Sequence, residues 1–211
     1  MTSTSYTSFA ELTKNEQKCI DYCIRPYHRN PAIAILAIHG GNIEPGTSEI
    51  ALALGEKLGA STYSFEGLKR RGNSILHIKS DLFDEPAGVS MAANAQTALT
   101  IHGHRNDEDS FIYMGGRNEI FKNLIKQSLD SAGFQTYEAP KHLLGMGAKN
   151  ITNTCKIGAG VQLELSTKLR KSLFEDHDLS SKNRSNRSNA FHHFVHALEI
   201  GALTYKRYIK V

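Results

Sequence analysis

The feature that most constrains the fold is an unbroken apolar run, Ala32–Ile38, that ends at His39-Gly40-Gly41. Such a run puts apolar side chains on both faces of a strand, which is typical of a central strand in a buried, largely parallel sheet. It is far too short to cross a bilayer, which takes about 20 apolar residues. A chain of 211 residues buries roughly 70% of its unfolded surface. We therefore expect one domain, 1–211, built around this strand.

Hydrophobic periodicity along the rest of the chain alternates between strand and helix patterns. Ser8 and Glu11 form a capping-box pattern that opens the first helix. The predicted strands are Ala32–Ile38, Ser61–Phe65, Ser74–Ile78, Ala98–His102, Phe111–Met114, Phe134–Tyr137 and Val161–Ser166. The predicted helices run from the Ser8 cap to Tyr22, and over Thr47–Leu58, Val89–Ala95, Glu119–Ser131 and Ala190–Ile200 or beyond. This alternation predicts an α/β fold of three layers, a mixed but mostly parallel sheet flanked by helices.

Charge is distributed unevenly along the chain. Residues 1–140 carry 13 basic and 16 acidic side chains, whereas residues 141–211 carry 12 basic and 5 acidic ones, a net of +7. A basic C-terminal third indicates a polyanionic partner without identifying it.

The cysteines and the N-terminus indicate where the chain is made. Cys19 and Cys23 are one helical turn apart on the apolar side of the first predicted helix, so we expect buried free thiols. Together with Cys155 they make an odd number, as expected for a reducing compartment. Residues 1–8 have no basic or apolar region, so no signal peptide is expected.

Titratable side chains follow several predicted strands, where active sites of such sheets gather. His39, Glu66 and His102 (with His104 beside it) end strands, and Glu164 lies within a fourth. Glu44 follows His39 in a glycine-rich turn. Two imidazoles and a carboxylate suit a zinc ion with an open position for water. We therefore predict His39, Glu44 and His102 as ligands, with Glu164 as the base that takes the proton from that water.

Plainer interpretations of the same residues stay open. A histidine at a strand end is more often simply hydrogen-bonded than a metal ligand. Glu44 lies just before a predicted helix that starts at Thr47, where the helix dipole favours a carboxylate. Glu164 could pair with a lysine such as Lys168.

Several segments resemble, in order, the bacteriophage poly-γ-glutamate hydrolase family. The most specific is the opening motif His-Gly-Gly-Asn-Ile-Glu-Pro-Gly-Thr-Ser-Glu-Ile-Ala, residues 39–51. The others are Ser64–Gly67, Leu76–Ile78, Phe83–Pro86 and Ile101–His104, and the resemblance spans about residues 32–188. The family is similar in fold to zinc carboxypeptidases and the succinylglutamate desuccinylase group.

This wider similarity implies roles for individual residues. His39 and Glu44 resemble the first ligand pair of carboxypeptidases, although four residues separate them here instead of two, so Glu66 remains the alternative carboxylate ligand. The segment Thr100-Ile101-His102 resembles the one that carries the third ligand, which favours His102 over His104. Leu163-Glu164-Leu165 resembles the segment with the catalytic carboxylate.

The resemblance implies that the partner is poly-γ-glutamate, a polymer with a free α-carboxylate on every residue. Candidate substrate-binding residues are Arg71, Arg105, His104, Arg184 and Arg187, since guanidinium groups pair well with carboxylates. No Asn-Arg clamp for a terminal carboxylate is recognised beyond Arg70-Arg71-Gly72-Asn73. Its lack fits cleavage within the polymer. The implied activity is thus zinc-dependent endo-hydrolysis of γ-glutamyl amide bonds of a host capsule, by a monomer released from the host cytoplasm by lysis.

Two other functions remain as alternatives. An exo-acting metallo-amidohydrolase or carboxypeptidase would trim small γ-glutamyl or N-acyl amino acids. A non-catalytic protein could bind nucleic acid through Lys168–Lys171 and Arg184–Arg187. Against it, no nucleic-acid-binding motif is recognised and aromatic residues do not interleave with the basic ones, so we expect no nucleic acid or membrane partner.

Overall fold

The computed structural model describes residues 5–210, in which seven strands form one mixed sheet. The strands are β1 (Tyr22–Tyr27), β2 (Asn30–Gly41), β3 (Ala60–Gly67), β4 (Thr97–His104), β5 (Ile112–Gly115), β6 (Thr136–Glu138) and β7 (Val161–Ser166). Their order is β1-β3-β2-β4-β7-β5-β6. The β1–β3 and β5–β7 pairs are antiparallel, and the other four pairs are parallel. The predicted mixed, mostly parallel sheet is confirmed.

Helices cover both faces of the sheet. They are α1 (Phe9–Asn15), α2 (Thr47–Leu58), α3 (Pro86–Asn94), α4 (Glu119–Ser131), α5 (Thr167–Ser172) and α6 (Asn189–Tyr208), with short 3₁₀ helices at Asn73–Leu76, Ile151–Asn153 and Glu175–His177. Apolar residues of α2, α4 and α6 form a core on one face, and those of α1 and α3 form a core on the other. The three-layer α/β prediction is therefore confirmed.

The position of β2 in the interior of the sheet explains why its apolar run is continuous. Its side chains alternate between the two cores, so that Ile33 and Ile35 pack under α2 while Leu36 and Ile38 pack on the opposite face. All four are essentially inaccessible to solvent. An interior strand with helices on both sides has no polar face.

The first helix is shorter than predicted. It ends at Asn15, and residues Tyr22–Tyr27 form an edge strand instead of a last helical turn. The Asp21 carboxylate accepts a hydrogen bond from the Gln17 backbone N–H at 2.8 Å, and Cys19 has a φ of 69°. Asp side chains compete for backbone donors in this way and stop helices.

A second difference concerns the predicted strand Ser74–Ile78. Residues Asn73–Leu76 form a 3₁₀ helix that follows Gly72, whose φ is +76°. Leu76 and Ile78 are buried in the second core, so the run is apolar because it packs beneath the sheet, not because it joins it. Helix α5 was not predicted at all.

The cysteine prediction is wrong for one thiol. Cys19 is exposed in the turn after α1, and Cys23 is half-buried in β1 with its Sγ 3.5 Å from a Glu66 carboxylate oxygen. Burial and the neighbouring Glu66 charge raise the pKa of Cys23 to about 11. Cys155 is buried against the carbonyls of Thr152 and Ala159.

Across residues 5–210, helices that combine the length and the apolar character needed to span a membrane are absent.

The three thiols should differ in reactivity because only thiolate reacts and only exposed sulfur is reached. With iodoacetamide at pH 8, we expect Cys19 to be alkylated first, Cys23 much more slowly, and Cys155 only after unfolding. Mass spectrometry of tryptic peptides over time would measure this. A Cys19→Ser variant that still shows an equally fast first alkylation would contradict the placement of Cys19.

Candidate metal centre and active site

The parallel strands β2, β4 and β7 are neighbours in the sheet, and their carboxyl ends meet at one edge. His39 lies near the end of β2, His102 lies near the end of β4, and Glu164 lies directly opposite His102 on β7. The β2–β3 register shifts between Ala37 and Gly40, so an irregularity of the ladder falls at His39. Such irregularities commonly turn a side chain toward an active site.

Glu44 reaches the same edge from the turn after β2. Its backbone N–H donates to the His39 carbonyl at 2.8 Å, and glycines at 41 and 46 have φ values of +63° and +98°. A Cβ at Gly41 would lie 2.5 Å from the Gly67 carbonyl oxygen, so only glycine fits there. This tight turn directs the Glu44 carboxylate back onto the strand ends instead of toward helix α2.

Three candidate ligand side chains converge at this edge. His39 Nδ1 lies 3.1 Å from Glu44 Oε1 and 3.1 Å from His102 Nδ1, and His102 Nδ1 lies 3.5 Å from Glu44 Oε2. Ligands about 2.0–2.1 Å from one tetrahedral zinc ion would be spaced by about 3.3 Å. Two imidazole nitrogens and a carboxylate at these distances fit a zinc ion.

Hydrogen bonding prepares His39 for this role. Its Nε2 lies 2.7 Å from the Ile78 carbonyl oxygen, which can only accept, so the proton lies on Nε2 and the lone pair on Nδ1. A backbone carbonyl behind a metal-binding imidazole is a common arrangement. His102 differs, because its Nε2 is buried without a hydrogen-bond partner among residues 5–210.

A fourth residue, His77, also belongs to this cluster and was not predicted. Its ring stacks on His39 with centroids 3.6 Å apart, and its Nε2 lies 3.1 Å from Glu44 Oε1. His39, Glu44 and His77 offer ligand atoms within 4.8 Å of one another. His77 is therefore an alternative third ligand. The signal in the sequence was its place in Leu76-His77-Ile78, a segment that resembles the hydrolase family but in which we assigned no site residue.

Burial and charge set the protonation of the cluster. Burial lowers the pKa of His39 to about 4, although the Glu44 carboxylate opposes this shift, so the ring is neutral and able to bind a metal. Burial alone would raise the pKa of Glu44, but the three surrounding imidazoles outweigh it and hold that pKa well below its usual range. Burial lowers the pKa of His102, and the hydrogen bond to Glu44 and the charge of Glu164 reverse this to a net rise.

Glu164 is in a different environment. It is 7% exposed, and burial raises its pKa to about 7 against the opposing charge of His102. The Gln162 side-chain amide donates to Glu164 Oε1 at 3.0 Å. Lys168, the ion-pair partner that sequence left open, donates instead to the Glu108 carbonyl. A buried carboxylate with a pKa near neutrality is suited to accept and return a proton.

Glu66, the alternative carboxylate ligand, lies elsewhere. Its side chain accepts hydrogen bonds from Arg25 at 3.2 Å and from Ser64 at 3.0 Å. The structure thus brings Glu44, and not Glu66, to the histidines.

The cluster lies in a cavity of about 690 Å³ with a basic rim. Among the predicted substrate-binding residues, His104 and Arg105 line it. Lys79, Lys141 and His142 line it too, and none of these three was predicted. Single lysines in loops carry no sequence signal for such a role.

The other three predicted substrate-binding residues lie outside this cavity. Arg71 is exposed in the turn before the 3₁₀ helix Asn73–Leu76. Arg184 is buried and donates to Glu49 at 2.8 Å and to the Asn42 side chain at 3.1 Å. Arg187 lies over the Phe191 ring, 4.8 Å from its centroid. Arg170 is buried as well. Two arginines of the suggested nucleic-acid-binding patch, Arg170 and Arg184, are therefore not exposed on the surface.

Comparison with known proteins agrees with the site. The poly-γ-glutamate hydrolase family model matches residues 6–197. The UPF0714 protein YndL of Bacillus subtilis (strain 168) is 40% identical over 184 residues, which cover 84% of this chain and 69% of YndL.

Two solved structures are similar along nearly the whole chain. The structure of a bacteriophage poly-γ-glutamate hydrolase superposes with a TM-score of 0.94 at 33% identity, covering 97% of this chain and 99% of the other. The zinc-free apo form of YndL gives a TM-score of 0.89 at 35% identity, covering 96% and 98%. The chain therefore belongs to the poly-γ-glutamate hydrolase family and is an enzyme that hydrolyses γ-glutamyl bonds.

Proposed function

We propose that this enzyme is a zinc-dependent endo-hydrolase of poly-γ-glutamate, acting as a monomer whose residues 1–211 form one catalytic domain. One observation carries the proposal: a convergent His39–Glu44–His102 donor set and a carboxylate of pKa about 7, Glu164, line the same basic-rimmed cavity. The similar protein YndL, whose solved structure is the zinc-free apo form, supports the choice of metal.

His39 Nδ1, Glu44 and His102 Nδ1 would hold the zinc ion. When bound there, zinc supplies Lewis acidity to the amide carbonyl and lowers the pKa of a water molecule to about 7. His77 is the alternative to His102. We favour His102 because it is buried between Glu44 and Glu164 on a rigid strand, whereas the His77 side chain is 39% exposed in a loop.

Glu164 performs the proton transfers in this mechanism. Its carboxylate takes a proton from the attacking water as the C–O bond forms at the γ-carbonyl carbon. It then delivers that proton to the departing α-amino nitrogen as the C–N bond breaks, and is returned to its ionised form. The Gln162 amide, 3.0 Å from Oε1, holds the carboxylate in the cavity. His104 and Arg105, which line the rim, would stabilise the developing oxyanion.

The basic rim supports the choice of substrate. Lys79, Arg105 and Lys141 line a cavity that also contains three carboxylates, those of Glu44, Asp81 and Glu164. Poly-γ-glutamate presents an α-carboxylate on each residue, so a chain lying across the rim meets several cations at once. This charge complementarity favours an acidic polymer over a neutral peptide.

A role in degrading a host capsule, with synthesis in the host cytoplasm and release by lysis, extends this proposal. Its support is the similarity to a bacteriophage hydrolase. The distribution of activity between cells and medium before and after lysis tests it.

The proposed function as a whole is tested by metal removal and product analysis. We expect dialysis against a chelator to abolish hydrolysis of poly-γ-glutamate, and one equivalent of zinc to restore it. Size-exclusion chromatography should show a rapid fall in polymer length before monomers accumulate, since endo-cleavage cuts within the chain. Full activity in the metal-free protein would contradict the metal centre. Early release of monomers from polymer of nearly constant length would support the exo-acting alternative instead.

Replacement of Glu164 by glutamine tests the base. The amide keeps the size and polarity of the side chain but cannot accept a proton. We expect kcat to fall by about 10²–10⁴-fold, with zinc content unchanged because Glu164 is not a ligand. Metal analysis and steady-state kinetics on the same preparation measure both. Near-normal turnover would exclude the proposed role of Glu164.

The two candidate third ligands are distinguished by matched alanine variants. We expect His102→Ala to lose bound zinc and His77→Ala to retain it. The reason is that His102 Nδ1 lies 3.1 Å from His39 Nδ1 and 3.5 Å from Glu44 Oε2, as ligands of one zinc ion would. Zinc stoichiometry after gel filtration gives the answer, with circular dichroism to confirm folding of both. Retention by His102→Ala with loss by His77→Ala would assign the ligand to His77.

A further inference from the structure

Arg170, in the short helix α5 that follows β7, is a buried cation. It is only 5% exposed, yet within residues 5–210 no carboxylate lies within ion-pair distance of it. Its hydrogen bonds go instead to three backbone carbonyls and one hydroxyl. They run from Nη1 to Pro45 O at 2.8 Å, from Nε to Leu165 O at 3.2 Å, from Nη2 to His104 O at 3.4 Å and from Nη2 to Thr167 Oγ1 at 3.3 Å.

The three carbonyls belong to the three segments that carry the active site. Pro45 directly follows Glu44, Leu165 directly follows Glu164, and His104 is two residues after His102. A guanidinium is a rigid planar fork, so donors fixed in one plane also fix the relative positions of their acceptors. One side chain therefore ties the turn after β2 to the ends of β4 and β7.

Gly103 shows how closely the guanidinium packs against the site. A Cβ at this position would lie 2.7 Å from Arg170 Cζ and 2.9 Å from its Nε, so only glycine leaves room for the guanidinium. The same residue donates its backbone N–H to Glu44 Oε2 at 2.8 Å. The peptide that orients the Glu44 carboxylate is thus packed directly on Arg170.

The charge of Arg170 acts on the same groups. Burial lowers the pKa of Arg170, and the nearby charges of Glu44 and Glu164 oppose that shift. The cation therefore lies near both carboxylates of the site.

We propose that Arg170 is a positioning residue that holds Glu44, His102 and Glu164 in the geometry needed to bind the metal and transfer the proton. The inference rests on the proposed function, because it takes these residues as ligands and base. Groups behind metal ligands commonly contribute 10–100-fold to metal affinity.

The test compares Arg170→Met, which removes both the charge and the planar set of N–H donors, with Arg170→Lys, which keeps only the charge. Lys171→Met is the matched control, since Lys171 lies on the same helix and pairs with Asp107 at the surface. Zinc affinity is measured by competition with a chromophoric chelator. The kinetic constants kcat and KM are measured with poly-γ-glutamate as the substrate, and folding is checked by circular dichroism.

We expect Arg170→Met to bind zinc about 10–100-fold more weakly than the parent enzyme and to have a lower kcat when saturated with zinc, with KM nearly unchanged. Arg170→Lys should recover part of the affinity, and Lys171→Met should behave like the parent.

If Arg170 has a purely structural role, both Arg170 variants will have a lower melting temperature but the zinc affinity and kcat of the parent enzyme. That result would overturn the inference. If Arg170→Met does not fold, Arg170→Lys decides, since parental affinity and kcat in that variant overturn it as well. Absence of zinc binding by the parent enzyme would instead contradict the proposed function.

Discussion

The site depends on keeping the Glu44 carboxylate ionised while it is largely buried. A charged carboxylate away from water is unstable unless other groups replace the hydration it loses. Here the Gly103 N–H donates to one oxygen at 2.8 Å, and His77 Nε2 lies within hydrogen-bond distance of the other, at 3.1 Å. Each partner comes from a different segment of the chain. Glu44 therefore makes the turn after β2, the end of β4 and the loop before α3 mutually dependent.

The pKa of the second carboxylate, Glu164, is shifted in the opposite direction, although burial acts in the same sense on both groups. Within residues 5–210, Glu164 accepts a single side-chain hydrogen bond, from Gln162, and burial raises its pKa to about 7. Glu44, at the same edge of the sheet, is held far below its usual pKa by imidazoles. When two environments shift the pKa values of neighbouring carboxylates in opposite directions, one group stays charged and the other exchanges protons near neutrality. This difference supports the ligand role that we propose for Glu44 and the proton-transfer role that we propose for Glu164.

Local patterns predicted the parts of the fold that local forces decide. The bounds of α2, α4 and β7 agree with their periodicity, because caps and apolar spacing are encoded within each segment. The failures involve contacts across the chain. The 3₁₀ helix before His77 was mistaken for a strand, because its apolar residues pack under the sheet. In the site, the neighbourhood of His39, Glu44 and His102 follows from strand ends and a resemblance, whereas His77 depends on a loop that no periodicity describes.

Charge counting illustrates the same limit. The net charge of +7 over residues 141–211 suggested a surface for a polyanion, yet of its 12 basic residues only Lys141 lines the cavity. Arg170 and Arg184 are buried, where one binds backbone carbonyls and the other binds Glu49 and Asn42. The remaining rim cations, Lys79 and Arg105, come from the part of the chain with a net negative charge. Net charge sums over side chains regardless of direction, whereas substrate binding depends on the few that the fold turns toward one opening. Part of the excess of basic residues in the last third is therefore explained by the buried Arg170 and Arg184, which bind the turn between β2 and α2. The basic rim of the cavity is instead assembled from loops far apart in the sequence.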